Sequence, residues 1–497
     1  MIQKAVRKYK ALPMQAKATV WYLICSFMQR GISMITTPIF TRLLNTDEYG
    51  QYNVFNSWLG IVTIFVTLHL FSGVYTQGLV KFSEDRKRFS SSLYGLSTVL
   101  VLGWTLIYLV FRGFWNNLLD LTTVQMLAML VMMWASTVFN FWAAEQRVEL
   151  KFQKLVLLTL VVSLAKPIVG VLLVLHAEDR VTARILGIAV VEFALYTGLY
   201  IAKFRSGGNF YSGKYWKYAL LFNLPLVPHY LSQTVLNSAD RIMIKNMVGA
   251  SEAGIYSLAY SISQIMALFN TALLQAVNPW IYQRIKDDRV DDIPRLGYPM
   301  LCLIGAVNLF LIGFAPEILT FFAPGSYHDA VWVIPPVAMS CYFMFAYALF
   351  ADFEFYFEKT KHIATATSIS AALNIILNYV CIRRFGYYAA GYTTLFCYFL
   401  YTLFHYLFMK HICGQYLGNS DIFDGRLVLG ITGAFMAAAA LLLASYTNIY
   451  VRYAIMCAGL LAVFIMRKKL AGFIRRLMTI RDSTGSPSGA EMRKDMR

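Results

Sequence analysis

Fourteen runs of about twenty mostly apolar residues succeed one another between residues 18 and 466, and no other feature narrows the fold as far. A helix rising 1.5 Å per residue needs about 20 residues to cross roughly 30 Å of hydrocarbon. The runs cover 18–41, 53–79, 92–112, 123–144, 155–175, 183–203, 216–239, 253–275, 297–322, 330–350, 363–383, 387–408, 425–446 and 448–466. They predict an all-α polytopic membrane protein. Composition agrees, since only 14% of residues are charged where a soluble domain carries about a quarter. The first run follows a basic stretch, but it is too long for a signal-peptide core and lacks a small-residue cleavage pattern, so it is read as a retained helix.

A net charge of +18 raises the question of nucleic acid, and the placement of the basic residues answers it. Of the 44 Lys and Arg residues, 33 fall on the side that carries both termini, 9 fall opposite, and Arg30 and Lys166 lie inside runs. The positive-inside bias predicts cytoplasmic termini and basic loops, such as Lys81 with Arg86-Lys87-Arg88, facing anionic lipid headgroups. No nucleic-acid partner is expected. Seven cysteines, at 25, 302, 341, 381, 397, 413 and 457, have no metal-ligand spacing, and all but Cys413 lie within apolar runs, as small buried hydrophobes. There is no Walker loop, dinucleotide fingerprint or H-E-x-x-H motif, so neither a cofactor nor an enzyme is expected.

One phrase occurs twice. Glu48-x-Gly50-x-Tyr52 returns as Glu252-x-Gly254-x-Tyr256, shifted by 204 residues. The same shift lays runs three to six onto runs nine to twelve, and Gly187 onto Gly391. The predicted organisation is a basic N-terminus (1–17), a six-helix bundle (18–203), a linker (204–215), a second bundle (216–408), a further helix pair (425–466) and a basic tail (467–497). An even number of helices per repeat gives both halves the same orientation, as in rocking-type transporters with a cavity between two bundles. Thr46 and Ser251 are the expected helix N-caps of the two phrases, and Gly50 and Gly254 suit close helix approach.

Asn237-Ser-Ala-Asp240-Arg241, followed by Glu252-Ala-Gly-Ile-Tyr256-Ser257-Leu-Ala-Tyr260, resembles the middle signature of polysaccharide-unit flippases of the multidrug/oligosaccharidyl-lipid/polysaccharide exporter superfamily. Leu373-Asn374 through Asn378-Tyr379, with Ala390-Gly391-Tyr-Thr393-Thr394, is similar to the eleventh-to-twelfth-span pattern of that family, and Pro38-Ile-Phe-Thr-Arg42 running into Glu48-Tyr-Gly50 fits its N-terminal pattern. Tyr387-Tyr388-Ala389-Ala390-Gly391 is bulkier than the family's Gly-x-x-Gly-Ala-Ala. The resemblance implies a carrier of undecaprenyl-diphosphate-linked oligosaccharide repeat units for O-antigen, capsule or a related polymer, in the bacterial plasma (inner) membrane. Its implied partners are that lipid-linked substrate, membrane lipids, and the polymerase and chain-length regulator of a polysaccharide pathway. A multidrug cation antiporter or a peptidoglycan lipid-precursor flippase would share the fold. A membrane polysaccharide polymerase would need a large outer loop, and the loops opposite the termini are short.

Such a carrier must shelter a diphosphate and sugars, which calls for cations, hydrogen-bonding groups and aromatic faces. Ser26, Arg30, Ser33 and Thr37 share one helical face of the first run. A charge at midspan is a functional candidate by default, and Arg30 is open to two roles: a planar fork for phosphate, or half of an ion pair. Lys166, before Pro167, matches Glu192 in depth. They read equally as a bundle salt bridge or as a cargo-facing cation beside a proton-binding acid. The seventh run carries His229, Gln233, Asn237 and Asp240 on one face behind Pro225 and Pro228, and the eighth carries Ser257, Ser261 and Gln264. Asp352 and Glu354 are expected after a tenth run kinked at Pro335-Pro336, whose aromatics suit the apolar faces of sugar rings but by default face lipid. Substrate contacts are therefore expected at Arg30, Lys166, Ser33, Thr37, Gln233, Asn237 and Gln264, and ion coupling at Glu192, Asp240 and Asp352.

Overall fold

Each of the fourteen apolar runs becomes a helix or a broken pair of helices in the computed structural model, which describes residues 14–465. Most of the basic N-terminus 1–17 and the tail 467–497 lie outside the described residues. Nine helical stretches among the described residues are long and apolar enough to cross a membrane, and no strand occurs among them. The chain packs as two compact units.

The first unit runs to Gly254 and includes Phe322–Pro324. It holds α1 (Met14–Leu43), α2 (Thr46–Thr67), α3 (Val74–Lys81), α4 (Arg86–Val110), α5 (Arg112–Leu119), α6 (Thr123–Val148), α7 (Phe152–His176), α8 (Arg180–Gly207), α9 (Gly213–Asn223), α10 (Val227–Met247) and the first residues of α11 (Ala250–Ser263). The cap of α2 differs from expectation. Asn45 is the N-cap, its side chain accepting from Glu48 N–H while Glu48 returns to the Asn45 N–H, a reciprocal capping box. Thr46 is already helical, and Ser251 lies inside α11, where its hydroxyl donates to Thr46 Oγ1 at 2.7 Å. The two repeated phrases thus touch each other. A Cβ on Gly50 would collide with the Ala250 carbonyl oxygen, and one on Gly254 with the Thr46 carbonyl oxygen.

The second apolar run is broken between α2 and α3, where Leu68 and His69 take left-handed backbone angles. The seventh is broken at Leu224–Leu226, where Pro225 supports a short 3₁₀ turn. The two breaks are joined, because buried Asn223 donates to the carbonyls of both Leu68 (2.8 Å) and His69 (2.9 Å). Carbonyls freed by a broken helix cannot be left unsatisfied in an apolar interior, so one amide serves both. Around α3, α4, α6 and α8 the core is aromatic: Tyr75 stacks on Phe141 at 4.2 Å, and Phe89 packs edge-on to Tyr215 at 5.4 Å.

The second unit comprises the rest of α11, then α12 (Ile265–Lys286), α13 (Asp292–Gly313), α14 (Ala315–Phe322, save its last residue), α15 (Ile334–Tyr356), α16 (Thr360–Phe385), α17 (Ala389–Tyr416), α18 (Gly425–Ala444) and α19 (Ile449–Ile465). Its centre is α15, which packs against α13, α16, α17 and α18. Pro335 and Pro336 occupy the first turn of α15, where missing N–H groups cost nothing, so they start the helix and do not kink it. The helix continues through Asp352 and Glu354. Tyr342, Phe343, Phe345 and Phe350 are buried in this unit, not turned to lipid. Cys413 is also buried within α17, whereas Cys302 and Cys457 are exposed.

One turn recurs. After α6, Leu150 is left-handed, its N–H reaches Arg147 O at 3.2 Å and Lys151 N–H reaches Gln146 O at 2.8 Å. After α15, Glu358 is left-handed, its N–H reaches Phe355 O at 3.1 Å and Lys359 N–H reaches Glu354 O at 2.8 Å. Both are Schellman closures built without glycine.

Candidate functional site

In the first unit the candidate cations lie on neighbouring helices. Gly187 lets α8 approach α7 so closely that a Cβ there would stand 2.7 Å from Gly170 Cα. Four residues before Gly170 and five after Gly187, Lys166 Nζ meets Glu192 Oε1 at 2.5 Å, with the lysine side chain 30% exposed and the glutamate 7%. The two residues that sequence put at matching depth therefore form an ion pair, with the cation on the more accessible side. α1 packs along α7, and Gln29 Nε2 donates to Ser163 Oγ at 3.3 Å, one turn from Lys166. Arg30, the next residue, is exposed and forms no ion pair among the described residues. Ser33 is exposed and Thr37 half-buried, and the Thr37 hydroxyl donates to the Ser33 carbonyl at 2.9 Å.

On α10, Gln233 and Asn237 are exposed, and Asn237 Nδ2 donates to Gln233 O at 2.8 Å. Asp240, three residues on, is buried. His229 is half-buried in the same row.

In the second unit, Gln264 is the joint between α11 and α12. Asp352 is buried on α15. Two residues on, Glu354 pairs with His405 Nδ1 of α17 at 2.5 Å, both side chains fully buried. The His405 ring packs against Tyr401 at 4.5 Å and Tyr347 at 5.5 Å. Asn378 Nδ2 donates to Asn374 Oδ1 at 3.1 Å, and the Thr393 hydroxyl donates to Asn378.

Sequence reasoning did not bring together three polar centres, although Glu317 of the third stood out as a weaker coupling candidate at a helix end. Glu145 on α6 gathers Tyr75 (2.6 Å), Ser90 and Lys203 (2.6 Å), uniting α3, α4, α6 and α8. Arg184 lies 3.9 Å from the Phe40 ring centroid and 3.5 Å from that of Tyr52, an aromatic box for a guanidinium. Arg452 pairs with Glu317, which also accepts from Tyr453 at 2.7 Å. The signal was a lone acid near the end of an apolar helix, as at Glu145, which reads as a helix-end charge until its distant partners are known. No cluster of His, Cys, Asp and Glu fit to hold a metal occurs among the described residues.

Comparison with known proteins places this geometry. The solved structure of the lipid II flippase MurJ, inward closed conformation, superposes with a TM-score of 0.69 at 14% identity, covering 91% of this chain and all of that one. An inward-facing multidrug resistance MATE family transporter gives 0.58 at 12% identity over 80% of this chain and 99% of that one. These likenesses show the fold. The Haemophilus influenzae Lsg locus putative protein 1 is 20% identical over 380 residues, 72% of this chain and 89% of its own length. An uncharacterized membrane protein of the same organism is 22% identical over 364 residues, 71% of this chain and 86% of its own. The MatE family model matches residues 225–380. Since the model for the polysaccharide biosynthesis protein family matches residues 16–285, more than half of the sequence, the chain belongs to that family, within the multidrug/oligosaccharidyl-lipid/polysaccharide exporter superfamily.

Proposed function

We propose that the chain flips undecaprenyl-diphosphate-linked oligosaccharide repeat units from the cytoplasmic to the outer leaflet of a bacterial plasma membrane, both its termini being cytoplasmic. Family and fold are those of transporters. The observation that carries the cargo reading is Arg30, exposed and without an ion pair among the described residues, next in sequence to Gln29, whose amide reaches α7 one turn from Lys166. A guanidinium at midspan is expensive unless a ligand or partner neutralises it, and a diphosphate does so with the fork geometry that arginine offers.

In this reading Arg30 and Lys166 hold the diphosphate, while Ser33, Thr37, Gln233, Asn237 and Gln264 hydrogen-bond sugars. Alternating access moves the bundles 18–203 and 216–408, and 425–466 is an added pair. Glu192, Asp240 and Asp352 bind the coupling proton or cation, or the membrane potential biases the cycle. The polymerase and chain-length regulator of the same pathway act downstream. Deletion of the gene, followed by a leaflet-resolved assay of lipid-linked oligosaccharide, is expected to show complete repeat units accumulating on the cytoplasmic side. Normal outer-leaflet supply overturns the proposal.

The extent of the MurJ likeness, 91% of this chain, favours a second reading in which the cargo is a peptidoglycan lipid precursor. Accumulation of that precursor in the same deletion strain, in place of the repeat unit, would select it.

A further inference from the structure

The short helix α3 has two faces. Val74, Tyr75, Gly78 and Leu79 are fully buried in the aromatic core of the first unit. The opposite face, Thr76, Gln77, Val80 and Lys81, is exposed, and with Tyr218 and Phe222 of α9 it lines a cavity of about 530 Å³. Thr76, Gln77, Val80 and Lys81 follow the one-turn spacing of a single helical stripe, and Tyr218 and Phe222 do the same on α9.

The chemistry of this cleft is amphiphilic. Val80, Phe222 and the Tyr218 ring supply apolar wall. Lys81 Nζ stands 4.7 Å over the Tyr218 ring and forms no ion pair among the described residues. The nearest acids in sequence are Glu84, which is exposed, and Asp85, which accepts from the Tyr215 hydroxyl at 2.5 Å. The carbonyls at the C-terminal end of α3 would repel an anion, but two of the four are covered, since Arg86 Nε donates to Leu79 O at 3.0 Å and Phe82 N–H to Gly78 O at 2.9 Å. Lys214 adds a second cation nearby, over Phe82 at 5.4 Å. Gln77 and Lys81, one turn apart, offer an amide and an ammonium about 6 Å apart along the axis, a spacing that suits linked phosphates.

We propose that the cleft between α3 and α9 binds a phosphate or diphosphate carried on an apolar chain, with Lys81 and Gln77 on the phosphate oxygens and Val80, Tyr218 and Phe222 on the first carbons of the chain. An isolated cation held over an aromatic face is poised for such a ligand, because the ring fixes the ammonium without neutralising it. The site deepens the function proposed above as a first contact for the lipid-linked cargo, and rests on it only for the source of the ligand.

Equilibrium binding of farnesyl diphosphate to the purified full chain in detergent tests it, with inorganic pyrophosphate and phosphatidylglycerol as competitors. Farnesyl diphosphate is expected to bind, with Lys81→Gln weakening it by about tenfold, the loss of one charge-assisted contact. Lys81→Arg is expected to retain binding, Tyr218→Leu to weaken it, and pyrophosphate to compete poorly. Displacement by phosphatidylglycerol assigns the site to bulk phospholipid and resistance to it assigns the site to prenyl diphosphate; either supports a phosphate-amphiphile site. Unchanged affinity in both Lys81→Gln and Tyr218→Leu, each with wild-type melting temperature, overturns it. A chain that binds through Lys81 yet flips no repeat unit overturns the proposed function and leaves this site standing.

Discussion

Gly254 packs directly against the carbonyl oxygen of Thr46, and 204 residues separate Gly254 from Gly50 just as they separate Ala250 from Thr46. Each glycine is met by the other phrase's backbone, which has no rotamer by which to yield. Gly254→Ala and Gly50→Ala are expected to destabilise the protein by about 1–3 kcal/mol, the usual cost of overpacking. Gly198→Ala, where nothing lies within 4 Å of the added carbon, is the control and is expected to be neutral. Thermal unfolding in detergent distinguishes them, and equal melting temperatures for Gly254→Ala and Gly198→Ala would refute the close contact.

Lys166 and Glu192 separate structural from functional roles when changed singly and together. Lys166→Met leaves a buried carboxylate without its partner, and the double variant with Glu192→Gln removes both charges. A double-mutant cycle on melting is expected to give a coupling of about 0.5–3 kcal/mol. The double variant is expected to recover stability without recovering transport. Full transport in it would reduce the pair to a structural brace.

Glu354 and His405 are fully buried, so removing either strands the other. Glu354→Ala is expected to cost about 3–5 kcal/mol, in the range found for broken buried pairs. Expression and melting temperature should both fall, more than for Lys151→Ala, whose pair with Glu149 is exposed. A Glu354→Ala variant as stable as Lys151→Ala would contradict the pairing.

Arg30 has the opposite signature. Exposed and without an ion pair among the described residues, it contributes little to folding. Arg30→Ala is expected to abolish transport while leaving membrane insertion and melting unchanged, and Arg30→Lys to restore part of the activity. Wild-type flipping by Arg30→Ala would remove it from the site.

Much of the fold was legible because hydropathy and helix length are local properties: all fourteen runs became helical. The match in depth between Lys166 and Glu192 was legible for the same reason, as helix register converts sequence position into height. The break after Thr67 was not, because Leu68-His69-Leu70-Phe71 reads as continuous apolar helix and yields only to Asn223, more than 150 residues away. Glu145 and Lys203 were hidden likewise, each looking like an ordinary helix-end charge. The cap of α2 was in plain view: Asn45 stands three residues before Glu48, the spacing of a capping box, and Thr46 was the wrong reading of a present signal.

The left-handed turn residues Leu150 and Glu358 lie 208 positions apart, whereas Gly50 and Gly254 lie 204 apart. If the chain descends from a doubled ancestor, its two copies have since slipped by four residues between these landmarks. The slip has to be absorbed where helices connect, and the connections differ most where α5 and Asp120 stand in the first copy and α14 and the 3₁₀ turn Gly325–Trp332 stand in the second. That connection is therefore where the two copies take up their difference in length, and the added segment is itself packed, with Tyr327, Ala330 and Val331 buried.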